Sequence, residues 1–465
     1  MVMTKISGLL YTERFRKSCV ARNRYEEFSS DRSRIVFCSS FRRMMQKAQV
    51  FSLETNSSVR NRLTHSLEVA DIGKTLVQKI GSKLIDKKLA DIDDIRCMET
   101  IVENACLIHD IGNPPFGHFG EEAIKRWCID RCMAIFNKRD NNLPLNDISE
   151  EGLKDLEVFD GNPQGFRIVT KLHTELDAYG LNLTYATLLS SLKYPCSTEE
   201  ERKKFDYKKI GIFRSENDIY SQICEDTKHQ YGKRFFLVYL MELADDICYC
   251  TSDISDAFEK NIIESRFFKN EFARILNEFS AKDLFKEFMV EKNPIENFSK
   301  EISIPLCKKC IESAAQYFVD NLESYITGDG KELSECIKEQ TLLKGLKVFS
   351  KRHIYTNQEV QRIEIAGHKI VYELLEHFGK ILQLTKDDFE YFYKNRENKK
   401  NGGIDMEWRI FNQLSPRMLK AYKHSLNKSS KDEWFLRCRF IVDYISGMTD
   451  QSALQLYQNV MGIKL

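Results

Sequence analysis

The stretch Ile108–Glu121 reads IHDIGNPPFGHFGE. The chain holds nine histidines in 465 residues, and two of them stand here, nine positions apart. His109 is followed directly by Asp110, and His118 comes three residues before Glu121. Two glycines and Pro114-Pro115 separate them, so one continuous helix cannot carry both. The residues on either side decide what such a pair is for.

Working outward, HSLEVADIGKTLVQKI (His65–Ile80) places His65, Val69, Ile72, Leu76 and Ile80 along one helical face. A second helix, from about Met98 to Ile111, aligns Met98, Ile101, Ala105 and His109. Each histidine continues an apolar stripe and is expected to point inward. Taken singly, either would read as a hydrogen-bonded core histidine. A further helix is expected from about Phe119, carrying Glu121, Ile124 and Trp127. The polar residues 136–160 read as a loop or insertion, and FDGNPQGFRIVTKL (Phe159–Leu172) turns into a helix. Residues 195–233 are charged and irregular and give no clear period. A long helix is expected from about Lys233 to Glu259, then a succession of amphipathic helices with an exposed loop at NKKNGG (Asn398–Gly403).

Composition agrees with a helical protein. Eight prolines are well under the usual share of about 5%, and glycine is also sparse. Lys+Arg total 70 against Asp+Glu 69, so no global charge draws the chain to nucleic acid or membrane. The length exceeds one minimal core and suggests sub-domains. Of the fourteen cysteines, only Cys307 and Cys310 form a CxxC, with no second pair in register for zinc, so they read as reduced thiols packed in helices. The opening MVMTKISGLLYTERFRK lacks a signal-type apolar segment, and no run approaches a membrane span, which leads to the expectation of a soluble, cytoplasmic chain.

An adjacent His-Asp pair holds one divalent metal if another helix adds His and a third adds Asp. His65 is the candidate for the first, and Asp245 or Asp246 for the second. A mixed imidazole and carboxylate set suits Mg, Mn, Fe or Co better than a closed tetrahedral zinc site. The ordered set H…HD…D in helical context says far more than an HD dipeptide.

Four segments carry a family resemblance: NRLTHSLEV (Asn61–Val69), HDIGNPPFGHFGE (His109–Glu121), GNPQGFR (Gly161–Arg167) and ADDICYCTSDISDA (Ala244–Ala257). With DRSRIVFCSSFRRMMQKAQVF (Asp31–Phe51) upstream, the chain resembles the HD-superfamily deoxynucleoside triphosphate triphosphohydrolases, the dGTPase-like group. Beyond residue 260 the likeness is loose, in VQRIEIAGHKIV (Val360–Val371), and Ala48 stands where relatives often carry Thr.

The resemblance implies an all-α fold: an HD-domain helical core with an additional C-terminal helical region. It divides the chain into an N-terminal segment (1–60) contributing to the pocket, a catalytic core (61–260) and a C-terminal region (261–465) for the base pocket and oligomerisation. It implies a metal held by His65, His109, Asp110 and Asp245, the last selected by the family spacing to Tyr249 and Asp253. Mg or Mn is the expected ion, with Fe or Co as further candidates. Arg62, Asn162 and Gln164 match positions near the phosphates, while Gln46, Tyr249 and Asp253 match positions around the deoxyribose. His118, oriented by Glu121, matches the acid–base pair. The implied reaction converts a dNTP, with dGTP favoured, to deoxynucleoside and inorganic triphosphate. A homo-oligomer (hexamer or tetramer) and a nucleotide or single-stranded DNA effector are the implied partners. Competing expectations are an HD phosphohydrolase acting on a nucleotide monophosphate, a cyclic dinucleotide or a guanosine polyphosphate, and a nucleic-acid-binding protein with an inert core.

Overall fold

The computed structural model describes residues 6–132, 134–135, 150–173, 179–281, 283–284, 298–395, 405–428 and 433–464. Among these the fold is all-α. There is no β-strand, only an isolated antiparallel bridge between Ala48 and Asn61.

The two helices read from the central segments form the heart of the molecule. The first, Arg62–Asp86, starts at a capping box in which Asn61 and Thr64 satisfy each other's backbone amides. The second, Ile92–Ile108, is opened by Asp91 and Asp94 in the same way. They pack along their length, and the long helix Val238–Glu259 lies against both. Val69, Leu76, Ile80, Met98, Ile101 and Ala105 all enter the larger of two hydrophobic cores. That core extends through the Ile304–Asp320 and Gln340–His353 helices. A second core gathers Ile124 and Trp127 with Leu374, Phe378, Trp434 and Ile441, so the Gly117–Trp127 helix is gripped by the C-terminal part of the chain.

The helix carrying His109 stops at Ile108, three residues before the expected end. Beyond it the chain turns against a neighbouring helix at Gly112. A Cβ there would come within 2.0 Å of the Gly161 carbonyl oxygen and 2.2 Å of the Gly165 amide nitrogen, so only glycine lets this turn lie against the Gly161–Arg167 helix. The next helix begins at Gly117, two residues early, because Phe116 (φ 61°) and Gly117 (φ 56°) both adopt the left-handed conformation and reverse the chain sharply. The long helix begins at Val238, not near Lys233.

Residues 195–233, for which no period was evident, contain the short helices Glu199–Lys204 and Asn217–Thr227 joined by turns. Within the expected loop at 136–160, Glu150–Glu157 is helical, while 136–149 and NKKNGG at Asn398–Gly403 lie outside the described residues. The cysteines are free thiols and most are buried, Cys310 among them and Cys307 half-buried on the same helix. No helix among the described residues is long and apolar enough to cross a membrane.

Candidate metal centre and active site

Three helices meet at one point. His65, from the first turn of the Arg62–Asp86 helix, is fully buried, and its Nε2 lies 3.3 Å from Asp245 Oδ1. His109 Nε2 lies 3.4 Å from the same oxygen. The His109 Nδ1 is 2.7 Å from the Cys106 carbonyl oxygen. A carbonyl only accepts, so Nδ1 carries the proton and Nε2 presents its lone pair to the cluster. That nitrogen is buried and has no hydrogen-bond partner. A buried lone pair beside a second imidazole and a carboxylate is a donor set that fits a divalent cation. His65, His109 and Asp245 are all close enough to share one.

Electrostatics keeps the carboxylate charged. Burial would raise the Asp245 pKa, but Lys193 and His109 outweigh it and hold it well below the usual range. Lys193 Nζ donates to Asp245 Oδ2 at 2.6 Å. Burial would lower His109, yet Asp110 and Asp245 raise it. Asp246, the neighbouring candidate, points elsewhere and accepts from Lys347 Nζ at 2.7 Å. Asp110 sits at the edge of the cluster. Its Oδ1 is 3.7 Å from His109 Nε2 and accepts from Asn113 at 2.6 Å, while its Oδ2 accepts from Arg62 Nη1 at 2.5 Å.

His109, Asp110 and Asp245 line a cavity of about 870 Å³, with His65 buried behind them. Arg62, Lys193 and Lys209 bring positive charge to it, and Asn162 and Glu121 line it beside His118. His118 is four-fifths exposed, and its Nδ1 lies 2.9 Å from Glu121 Oε2. Glu121 is buried, and its other oxygen accepts from the Gly161 amide at 2.8 Å. The carboxylate is thereby fixed, and it fixes the imidazole with Nε2 outward. Tyr249 and Tyr355 also line the cavity, their hydroxyls 2.6 Å apart.

Three expected substrate residues are placed differently. Gln46 is exposed outside the cavity and accepts from Thr449 at 3.4 Å, whereas Gln49 lines the cavity with a buried, unpartnered Oε1. A 3-10 turn at Met44–Gln46 shifts the facing residue along the chain. Gln164 is buried behind the site, where it donates to Asp443 at 3.0 Å beside the Arg167–Asp443–Glu216 ion cluster. Asp253 does not line the cavity. It supports the tyrosine wall from behind, with Oδ2 2.5 Å from the Tyr355 hydroxyl. Lys193, Lys209, Gln49 and Tyr355 were not singled out from the sequence. Lys193 and Lys209 lie on irregular backbone with no period to orient them.

Burial and the nearby Asp256 carboxylate push Asp253 up to about 7. Its folded value exceeds the unfolded one, so the protonated form is the native one. The resulting stability is complete below the unfolded value, near 3.9, and is lost as pH rises toward 7. Thermal melts between pH 4 and 7.5 should therefore slope downward more steeply for wild type than for Asp253→Asn, whose neutral amide does not titrate. Equal slopes would show that Asp253 is ionised throughout.

Residues 62–178 match the HD domain family. Residues 395–459 match the phosphohydrolase-associated domain. All of the cluster except Asp245 falls inside the HD match, and Asp245 comes to it from the long helix. Together the two matches and the cluster support a metal-dependent phosphohydrolase.

Proposed function

We propose that this HD phosphohydrolase cuts deoxynucleoside triphosphates to deoxynucleoside and inorganic triphosphate. The observation that carries the reading is what one cavity holds together: the His109–Asp245 cluster, the cationic side chains of Arg62, Lys193 and Lys209, and two tyrosines. Three cations suit a chain of three phosphates better than a single phosphate. Arg62 offers a planar fork to two oxygens, while Lys193 and Lys209 act as point charges. Asp110 would join His65, His109 and Asp245 in holding the metal. A divalent ion held there supplies Lewis-acid polarisation of a phosphoryl oxygen.

The chain's own groups do the rest. His118, with Nδ1 held by Glu121, presents Nε2 to move a proton, to the departing O5′ or from the attacking water. Tyr249 packs under the deoxyribose with Tyr355 beside it, and the Gln49 amide oxygen takes a sugar hydroxyl. The hydrogen-bonded Tyr249–Tyr355–Asp253 chain fixes the tyrosine wall and leaves little room for a 2′-hydroxyl.

The test is product analysis. Each dNTP and rNTP, incubated with the protein and Mg or Mn, should yield nucleoside and triphosphate from the deoxy series and far less from the ribo series. Release of dNMP and pyrophosphate would leave an active phosphohydrolase but end the triphosphohydrolase reading. Hydrolysis of a cyclic dinucleotide or a nucleotide monophosphate in its place would favour another HD chemistry.

A further inference from the structure

The N-terminal segment, the catalytic turn and the phosphohydrolase-associated domain are tied together at one buried carboxylate. Asp450 is 3% exposed. Its Oδ1 accepts from the Phe116 amide at 2.9 Å, and its Oδ2 accepts from the Ala48 amide at 3.0 Å. Both donors stand next to the site. Ala48 precedes Gln49, and Phe116 lies two residues before His118. Phe116 is also a non-glycine residue in the left-handed region, a conformation that persists only when the surroundings hold it. Its ring packs so closely on Gly367 that a Cβ there would fall 2.4 Å from it. A parallel link runs through Lys47, whose buried Nζ donates to the Asn113 carbonyl at 2.5 Å and the Ser446 carbonyl at 3.0 Å.

We propose that Asp450 is a positioning residue: one carboxylate from the C-terminal domain sets both the turn that aims His118 and the segment that aims Gln49. Two divergent amide donors need two acceptor oxygens, and a carboxylate supplies both on one short side chain. An asparagine offers one and turns an NH2 toward the other donor. The role of the phosphohydrolase-associated domain, on this account, is to hold the catalytic turn in its strained form, at no cost in direct contact with substrate.

Asp450→Asn keeps the size of the side chain and removes one acceptor. In the full-length protein, hydrogen exchange resolved to single amides should show Ala48 and Phe116 protected in wild type and at least one of them exchanging faster in the variant. The Arg62–Asp86 helix and the bound-metal content should be unchanged. Fast exchange of both amides in wild type, or no change in Asp450→Asn, overturns the proposal, and the wild-type measurement decides even if the variant does not fold. The kinetic arm rests on the dNTP reading above. There kcat should fall about 10- to 100-fold, as misplacement of a catalytic group does. In a His118→Ala background the same change should cost less than about twofold in kcat, because the turn acts through His118, while any effect through Gln49 should remain in KM. A purely structural role would lower stability and kcat equally in both backgrounds, and that outcome also refutes positioning. If wild type cleaves no dNTP, the functional reading fails while the exchange result still stands.

Discussion

Asp245→Ala protein is expected to purify without metal and to lose turnover by at least about 10³-fold. The expectation follows from geometry. Asp245 Oδ1 is the one oxygen that faces both His65 Nε2 and His109 Nε2. Without it, the two imidazoles and the Asp110 carboxylate at the edge remain, along with a Lys193 ammonium that has lost its Asp245 partner. Loss of Lewis-acid stabilisation worth several kcal/mol corresponds to that factor. Asp246→Ala is the control. It breaks only the partly exposed Lys347 pair, worth about 0–1 kcal/mol, and should keep both metal and most of the activity. Elemental analysis and turnover measured on both variants settle the matter, and the opposite ranking would move the ligand to Asp246.

His118→Ala should give the complementary phenotype: full metal content, retained nucleotide binding, and turnover slowed about 10²- to 10⁴-fold, the usual worth of a general acid–base group. His118 stands outside the His65–His109–Asp245 cluster, so its loss leaves the cluster intact. Glu121→Gln should cost less, since an amide oxygen still accepts one hydrogen bond. The double variant should be little worse than His118→Ala, because Glu121 acts through the imidazole it orients. Near-normal turnover by folded His118→Ala protein would reduce His118 to an exposed residue at the cavity mouth.

The parts legible in the sequence were those with a period or a fixed local motif. His65 and His109 continue apolar helical stripes, so their burial followed from spacing of 3.6 residues per turn. The expected reversal between His109 and His118 followed from Gly112 and Pro114-Pro115, whose backbone chemistry acts over a few residues. Pairing of His118 with Glu121 is also local, a contact across one helical turn.

Other features depend on contacts between distant segments. The family resemblance implied Gln46 at the sugar, but past a short 3-10 turn it is Gln49 that lines the cavity. Lys193 and Lys209 reach the site from irregular backbone, where no periodicity tells which way a side chain points. Gln164 turned toward Asp443, 279 residues away, because burying Arg167 calls for a full set of polar partners around it. Local chemistry thus determined the helices, the inward-facing His65 and His109, and the turn that leads into His118. Which cations and amides share the cavity, and the carboxylate of Asp450 that holds its two edges, were decided only when long-range packing brought segments without a readable period into contact.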